Sequence, residues 1–147
     1  MYKRILVATD GSKLSESAVE HALKLADITG AEVVALKVVP RYPQTYFEGG
    51  IGVDAGEIKR IEQQWQDEAL QLVNAIKSEG QKMTVKVKAM TAKSDLVAEA
   101  IMAAAKRNKC DLIVMASHGR KGLKRLLLGS ETQQVLTHSH IPVLVLR

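Results

Sequence analysis

Apolar positions along this chain follow two alternating rhythms. Tyr2–Thr9 is a β-branched and aliphatic run stopped by Asp10-Gly11, and it predicts a buried strand. Ser12 or Ser15 then caps a helix in which Ala18, Val19, Ala22, Leu23, Leu25 and Ala26 keep helical spacing, with Gly30 closing it. Glu32–Val39 is nearly continuous in apolarity, the mark of a strand covered on both faces in a parallel sheet. Beyond an irregular stretch, Pro40–Asp54, the residues Ile58, Ile61, Trp65, Ala69, Leu72 and Ile76 trace one face of a long helix that stops at Gly80. Trp65 on that stripe reads as a packing residue.

Met83–Met90 alternates Val85 and Val87 with lysines, a half-exposed pattern that belongs at a sheet edge, where lysine discourages pairing with other chains. Ser94 or Asp95 starts an alanine-rich helix through Lys106 with Leu96, Val97, Ala100, Ile101 and Ala104 inward. The apolar run Leu112–Ala116 breaks into Ser117-His118-Gly119. A basic, leucine-bearing connector leads to Gly129-Ser130-Glu131-Thr132 at a further helix start, and Ile141–Leu146 is the last strand. Strict alternation of five strands with four helices predicts a doubly wound α/β fold. Its parallel sheet has order 3-2-1-4-5, helices on both faces and right-handed crossovers. No repeat or boundary interrupts the pattern, so residues 1–147 read as a single domain.

Composition narrows the partners more than the fold. With 147 residues, 46% hydrophobic and 25% charged, the chain has the make-up of a soluble domain. It is long enough to bury about two-thirds of its unfolded surface without a staple. One cysteine, Cys110, excludes an internal disulfide, suits a reducing compartment and reads as packing. The apolar run after Lys3 and Arg4 is too short for an export signal, and none approaches the ~18 residues of a membrane span. A cytoplasmic protein without a membrane partner is expected. Net charge +5 favours anionic partners, while 3% aromatics leave few stacking platforms and argue against nucleic acid.

The chain has no G-x-x-x-x-G-K-[ST] and no G-x-G-x-x-G after the first strand. His21, His118, His138 and His140 show no spacing that closes a metal site, and no serine sits in a G-x-S-x-G elbow. What remains is geometric. Open parallel sheets bind ligands beyond the carboxyl ends of the strands where strand order reverses, here between the first and fourth strands. Thr9-Asp10-Gly11 and Ser117-His118-Gly119 leave those strands.

Backbone N–H groups at Gly119, Gly129 and Ser130 suit a phosphate, because glycine has no side chain to hold the ligand off. Ser130 to Gln133 also fits an S-x-x-Q capping box, so an ordinary cap is the plainer alternative. Asp10 suits ribose hydroxyls, or serves as a turn residue or helix cap. The main chain of Val38 or Val39 suits an adenine edge. Arg120, Lys121, Lys124 and Arg125 on the connector suit phosphate charge, or form a solvated face over a leucine anchor.

The chain resembles the universal stress protein family along its whole length. The resemblance is carried by Ile5-Leu6-Val7-Ala8-Thr9-Asp10-Gly11-Ser12, by Ile113-Val114-Met115-Ala116-Ser117-His118-Gly119, by Gly129-Ser130 and by Pro142-Val143-Leu144-Val145. The nucleotide-binding branch of that family carries G-x-x-G, nine residues, then G-[ST]. Gly119, the residues Arg120–Leu128 and Gly129-Ser130 fit, while Ala116 stands where the first glycine belongs. The resemblance implies a Rossmann-like fold of the adenine nucleotide α-hydrolase kind. It also implies an ATP site, with AMP or ADP as alternative bound forms, drawn from Ala8, Thr9, Asp10, Val38, Met115, Ala116, Ser117, His118, Gly119, Arg120, Gly129, Ser130, Glu131 and Thr132. Adenine would lie near Val38, ribose near Asp10, and phosphates at Gly119, Gly129, Ser130 and Glu131. Mg²⁺ would be held through the phosphates, without side-chain ligands.

The final strand has only Arg147 after it and no protective charge within it, so its edge invites pairing. Family members of this kind dimerise there, which implies a homodimer through Pro142, Val143, Leu144, Val145 and Leu146. The expected function is a nucleotide-dependent stress-response or signalling module with at most slow hydrolysis, no catalytic residue assigned and an unidentified protein partner. Two alternatives stand beside it. One is a scaffold of the same fold that holds no nucleotide, for which Ala116 is the main support. The other is an enzyme of the related hydrolase or flavoprotein groups, which would need a further segment.

Overall fold

Alternate strand residues divide between two apolar cores, and this division sets the architecture. In the computed structural model, residues 1–43, 54–119 and 128–147 are described. The strands are β1 (Arg4–Ala8), β2 (Glu32–Val39), β3 (Val87–Lys93), β4 (Leu112–Ala116) and β5 (Val143–Leu146). The helices are α1 (Lys13–Thr29), α2 (Ala55–Lys82), α3 (Val97–Arg107) and α4 (Ser130–His138). Every adjacent pair is parallel, in the order β3-β2-β1-β4-β5 that the sequence pattern predicts.

Ile5, Val7, Val33, Ala35, Leu112 and Val114 pack on one face against Ala22 and Leu23 of α1 and Val73 of α2. Leu6, Val34, Leu36, Ile113 and Met115 pack on the other against Ile101 and Ala105 of α3 and Val135 of α4. Each fully buried aliphatic side chain contributes roughly 1.5–3 kcal/mol of transfer energy, so both cores hold the sheet between the helices. Because β1 leads to α1 on one face and β4 to α4 on the other, the switch point falls between β1 and β4.

At the amino end of the sheet, Asp111 joins these two strands. Its carboxylate accepts the N–H groups of Lys3 at 2.9 Å and Arg4 at 3.1 Å. Burial works against that charge, but the N–H bonds from Lys3, Arg4 and its own residue outweigh it, and the carboxyl sits below its ordinary range. Cys110 beside it is buried, and burial pushes its thiol up to about 11, which fits a packing role.

Several boundaries differ from the pattern. Ser12, rather than Ser15, caps α1, its hydroxyl accepting Ser15 N–H at 3.2 Å. The third strand is Val87–Lys93, later than Met83–Met90, because a turn with Thr84 at φ 58° buries Val85 before the ladder begins. Helix α3 starts at Val97 behind Leu96; Ser94 caps only the turn before it, its hydroxyl accepting Leu96 N–H at 3.0 Å. Trp65 is half-buried and stacks on Tyr42, ring centroids 6.1 Å apart. Tyr46, Phe47 and most of the Pro40–Asp54 stretch lie outside the described residues. Among the described residues, no helix is long and apolar enough to cross a membrane.

Gly80 does not end its helix, which continues to Lys82. Its carbonyl accepts N–H groups from Met83 at 3.0 Å and Val85 at 2.8 Å. A Cβ there would overlap Val87 Cγ2 and stand 3.1 Å from the Val85 carbonyl oxygen. Glycine is needed for the close approach of α2 to β3. Gly80→Ala gains about 1 kcal/mol of helix propensity but overpacks the junction at roughly 1–3 kcal/mol. The expected outcome is a lower thermal midpoint; a raised one would contradict the packing account.

Candidate functional site

The sheet comes apart at its carboxyl end because its strands stop at different heights. Thr9 N–H to Leu36 C=O, 3.0 Å, is the last bond between β1 and β2, yet β2 continues to Val39. Ladder bonds of a parallel strand alternate between its two neighbours. On β2, Val33 N–H and Val39 C=O go to Lys86 and Ser94 on the β3 side, at 2.9 Å each. Val38 shares the side of Leu36, so its N–H and C=O pass out over the end of β1. A main-chain donor and acceptor, side by side, are thereby left at the sheet edge.

Hydroxyl groups hold this opening in place. The buried polar residues among those described are Thr9, Ser15, Ser117 and Thr132, and all lie at this end of the sheet. Thr9 Oγ1 lies 3.1 Å from Ser15 Oγ and accepts Gly11 N–H at 3.2 Å. Ser12 N–H donates to Asp10 Oδ1 at 2.9 Å, completing a turn that Gly11 makes possible at φ 81°. Across the gap, Thr132 Oγ1 donates to the Ala116 carbonyl at 2.9 Å, and Gly129 N–H to the Ser117 carbonyl at 2.8 Å. These bonds set the start of α4 against the end of β4.

Between the two turns lies a cavity of about 480 Å³, within the ~300–1,000 Å³ of small-molecule sites. Ala8, Thr9, Asp10, Val38, Met115, Ala116, His118, Gly119, Gly129, Ser130, Glu131 and Thr132 line it. Ser15, Leu36, Lys37, Val97 and Ile101 line it too and escaped the sequence reading. Leu36, Val97 and Ile101 have an apolar spacing that signals only core; topology is what brings them to the crevice. Ser117 does not line the cavity; it is buried, with its N–H on the Leu146 carbonyl at 2.7 Å and its hydroxyl 3.1 Å from His118 Nδ1. Arg120 and the connector cations Lys121, Lys124 and Arg125 lie outside the described residues.

The anion-binding groups differ in detail from the expectation. Gly129 N–H is committed to Ser117, so it does not face a ligand. Gly129, not Ser130, occupies the cap position of α4, and Gln133 reaches back with its side chain to the Leu128 carbonyl at 2.9 Å instead of closing a capping box. The first intrahelical bond is Gln133 N–H to Gly129 C=O. The N–H groups of Ser130, Glu131 and Thr132 therefore precede the ladder, at the positive end of the helix dipole and on the cavity wall. Glu131 is exposed and accepts the Ser130 hydroxyl at 3.0 Å.

Two small residues decide how close a ligand can come. A Cβ at Gly119 would stand 2.5 Å from Asp10 Oδ2, so the two turns approach to within the space that one methyl group needs. Ala116 is the last residue of β4 and pairs with Leu146. Strand alternation puts its methyl on the Val114 face, opposite Met115, which packs with the cavity-side core. The alanine thus stands in for glycine without projecting beside Met115.

A second hollow, about 700 Å³, lies where the chain leaves β2. It holds the Glu62–Lys93 ion pair, 2.6 Å, whereas the convergent main-chain groups belong to the smaller cavity.

An open parallel α/β sheet with a polar-ended crevice at its switch point defines the doubly wound class, in which ligands bind at that place. The chain matches the universal stress protein family over residues 1–147 and belongs to that family. It is 34% identical over 148 residues to universal stress protein MJ0531 of Methanocaldococcus jannaschii, covering 100% of this chain and 83% of that protein. It is 33% identical over 157 residues to universal stress protein MJ0577 of the same organism, covering 100% and 96%. The solved structure of MJ0577 shares the fold with a TM-score of 0.82 at 32% identity, covering 99% of this chain and 96% of that one. A universal stress protein family protein from Arabidopsis thaliana, solved with AMP bound, has a TM-score of 0.68 at 18% identity, covering 98% and 90%.

The hydroxyl that seats α4 can be tested without any ligand. Thr132→Val keeps the side chain's shape and removes the bond to Ala116, leaving a buried carbonyl without that donor. Stability should fall by about 1–3 kcal/mol in chemical denaturation. An unchanged midpoint would show that the bond does not hold the helix start.

Proposed function

We propose that this chain binds ATP in the cavity between β1 and β4 and acts as a nucleotide-dependent stress-response or signalling module. AMP and ADP are alternative bound forms. The observation that carries the reading is the uncovered Val38 main chain in the same cavity as the leading N–H groups of α4. Adenine presents an acceptor ring nitrogen beside a donor amino group, the complement of a backbone N–H beside a C=O. Leu36, Val97, Ile101 and Met115 provide apolar walls for the base. Asp10 is positioned for the ribose hydroxyls, and the phosphates lie over Gly119 against the N–H groups of Ser130, Glu131 and Thr132. The AMP found in the Arabidopsis relative agrees with an adenine nucleotide.

Mg²⁺ enters this reading through the phosphates. Among the described residues, no three His, Cys, Asp or Glu side chains converge on one point, and hard cations accept phosphate oxygens with water as ligands. Hydrolysis is at most slow, and the module acts by occupancy on an unidentified protein partner. The β5 edge, with Leu144 exposed at 39%, pairs with a second copy about a two-fold axis. Sedimentation should give a dimer at micromolar concentration, and a persistent monomer would remove that part of the reading.

Calorimetry at near-physiological salt tests the nucleotide directly. The unmodified chain should bind ATP, and Gly119→Ala should weaken it at least about tenfold, because the added methyl drives the Asp10 carboxylate out of place. Absence of binding at millimolar ATP would remove the reading.

A further inference from the structure

We infer that Asp95 is a positioning residue for the base-reading edge of β2, an inference that rests on the ATP reading above. Beyond Leu36 that strand has lost β1 and keeps only β3 as a lateral support. The β2–β3 register ends at Val39 with Lys93, and Ser94 N–H adds one bond to Val39 C=O at 2.9 Å. Pro40 follows and has no N–H to give. The next main-chain anchor is Arg41 N–H, which donates to Asp95 Oδ1 at 2.9 Å across 54 residues of sequence. Without it, among the described residues, the stretch after Val39 keeps the Glu62 contact to Tyr42 N–H, 3.4 Å, and the Tyr42–Trp65 stack.

Asp95 lines the neighbouring larger hollow and leads into the opposite wall of the cavity. Val97, two positions on, lines the cavity at the start of α3, and Leu96 between them is tied to Ser94. One carboxylate therefore straps the exit of the strand bearing Val38 to the approach of the helix bearing Val97. These are two walls of the slot assigned to the base. The strap fixes the slot's width at the point where the sheet's own ladder has run out. Asp95 is exposed and touches no part of the proposed nucleotide, so its effect passes through Val38 and Val97. The contribution falls on the base and leaves the phosphate end of the cavity untouched.

That division supplies the test. Asp95→Ala and Asp95→Asn are compared with the unmodified chain by calorimetry with ATP, GTP and tripolyphosphate, after thermal melts confirm equal folding. Guanine reverses adenine's donor and acceptor, so GTP measures how well the Val38 edge is presented. Asp95→Ala should lower ATP affinity about three- to tenfold, the worth of one partly exposed hydrogen bond. The preference for ATP over GTP should shrink by a similar factor, with tripolyphosphate affinity unchanged. Asp95→Asn, which keeps the accepting oxygen, should restore both. Equal losses for ATP, GTP and tripolyphosphate, or an alanine variant that binds ATP as the unmodified chain does, would overturn the inference. Failure of the unmodified chain to bind ATP at all would sink the underlying reading instead, and this one with it.

Discussion

A backbone cannot leave its N–H and C=O groups buried without partners, and the unequal lengths of β1 and β2 turn that rule into a site. While both strands run together, each main-chain group is spent on the ladder. Where β1 turns away at Thr9, β2 keeps its extended form because β3 still supports it from the other side. Val38 is then an edge inside the molecule, a donor and an acceptor held at strand spacing and facing a hollow. Such groups must be met by water or by a ligand that carries the complementary pattern.

The rest of the structure keeps that edge open. Two apolar cores, one on each face, fix the sheet between α1 and α2 on one side and α3 and α4 on the other. Neither core closes the carboxyl end, where four buried hydroxyl-bearing residues replace aliphatic packing. Thr9 and Ser15 hold the turn that carries Asp10, while Thr132 and the Ser117 carbonyl seat α4. Glycine at position 119 lets the two turns meet. The cavity is the space left when two rigid strand ends diverge and each is fastened to its own helix.

Much of this was legible in the chain itself. Unbroken apolar runs such as Glu32–Val39 announced strands covered twice, and strict alternation with helices announced a doubly wound sheet, expected in the order 3-2-1-4-5. From that order alone, Asp10 and Gly119 fall on one crevice. Local chemistry was less legible. Ser130 and Gln133 have a capping-box spacing, yet Gly129 takes the cap because its N–H is drawn to Ser117, a partner that no local pattern reveals. Gly80 looked like a helix stop, although its meaning is contact with Val87 from a neighbouring strand. Asp95 looked like a helix cap, and its real partner lies 54 residues away. Each miss is a tertiary contact overriding a local propensity.

The central claim concerns one uncovered strand edge and one helix start acting on the same ligand, and amide resonances report on both at once. In ¹⁵N-labelled protein titrated with ATP, the amides of Val38, Ser130 and Glu131 should shift together and saturate at one concentration. Amides at the far end of the sheet, such as Glu32 and Asp111, should stay in place. Saturable shifts that leave Val38 unmoved, or that appear only at the amino end, would contradict the account.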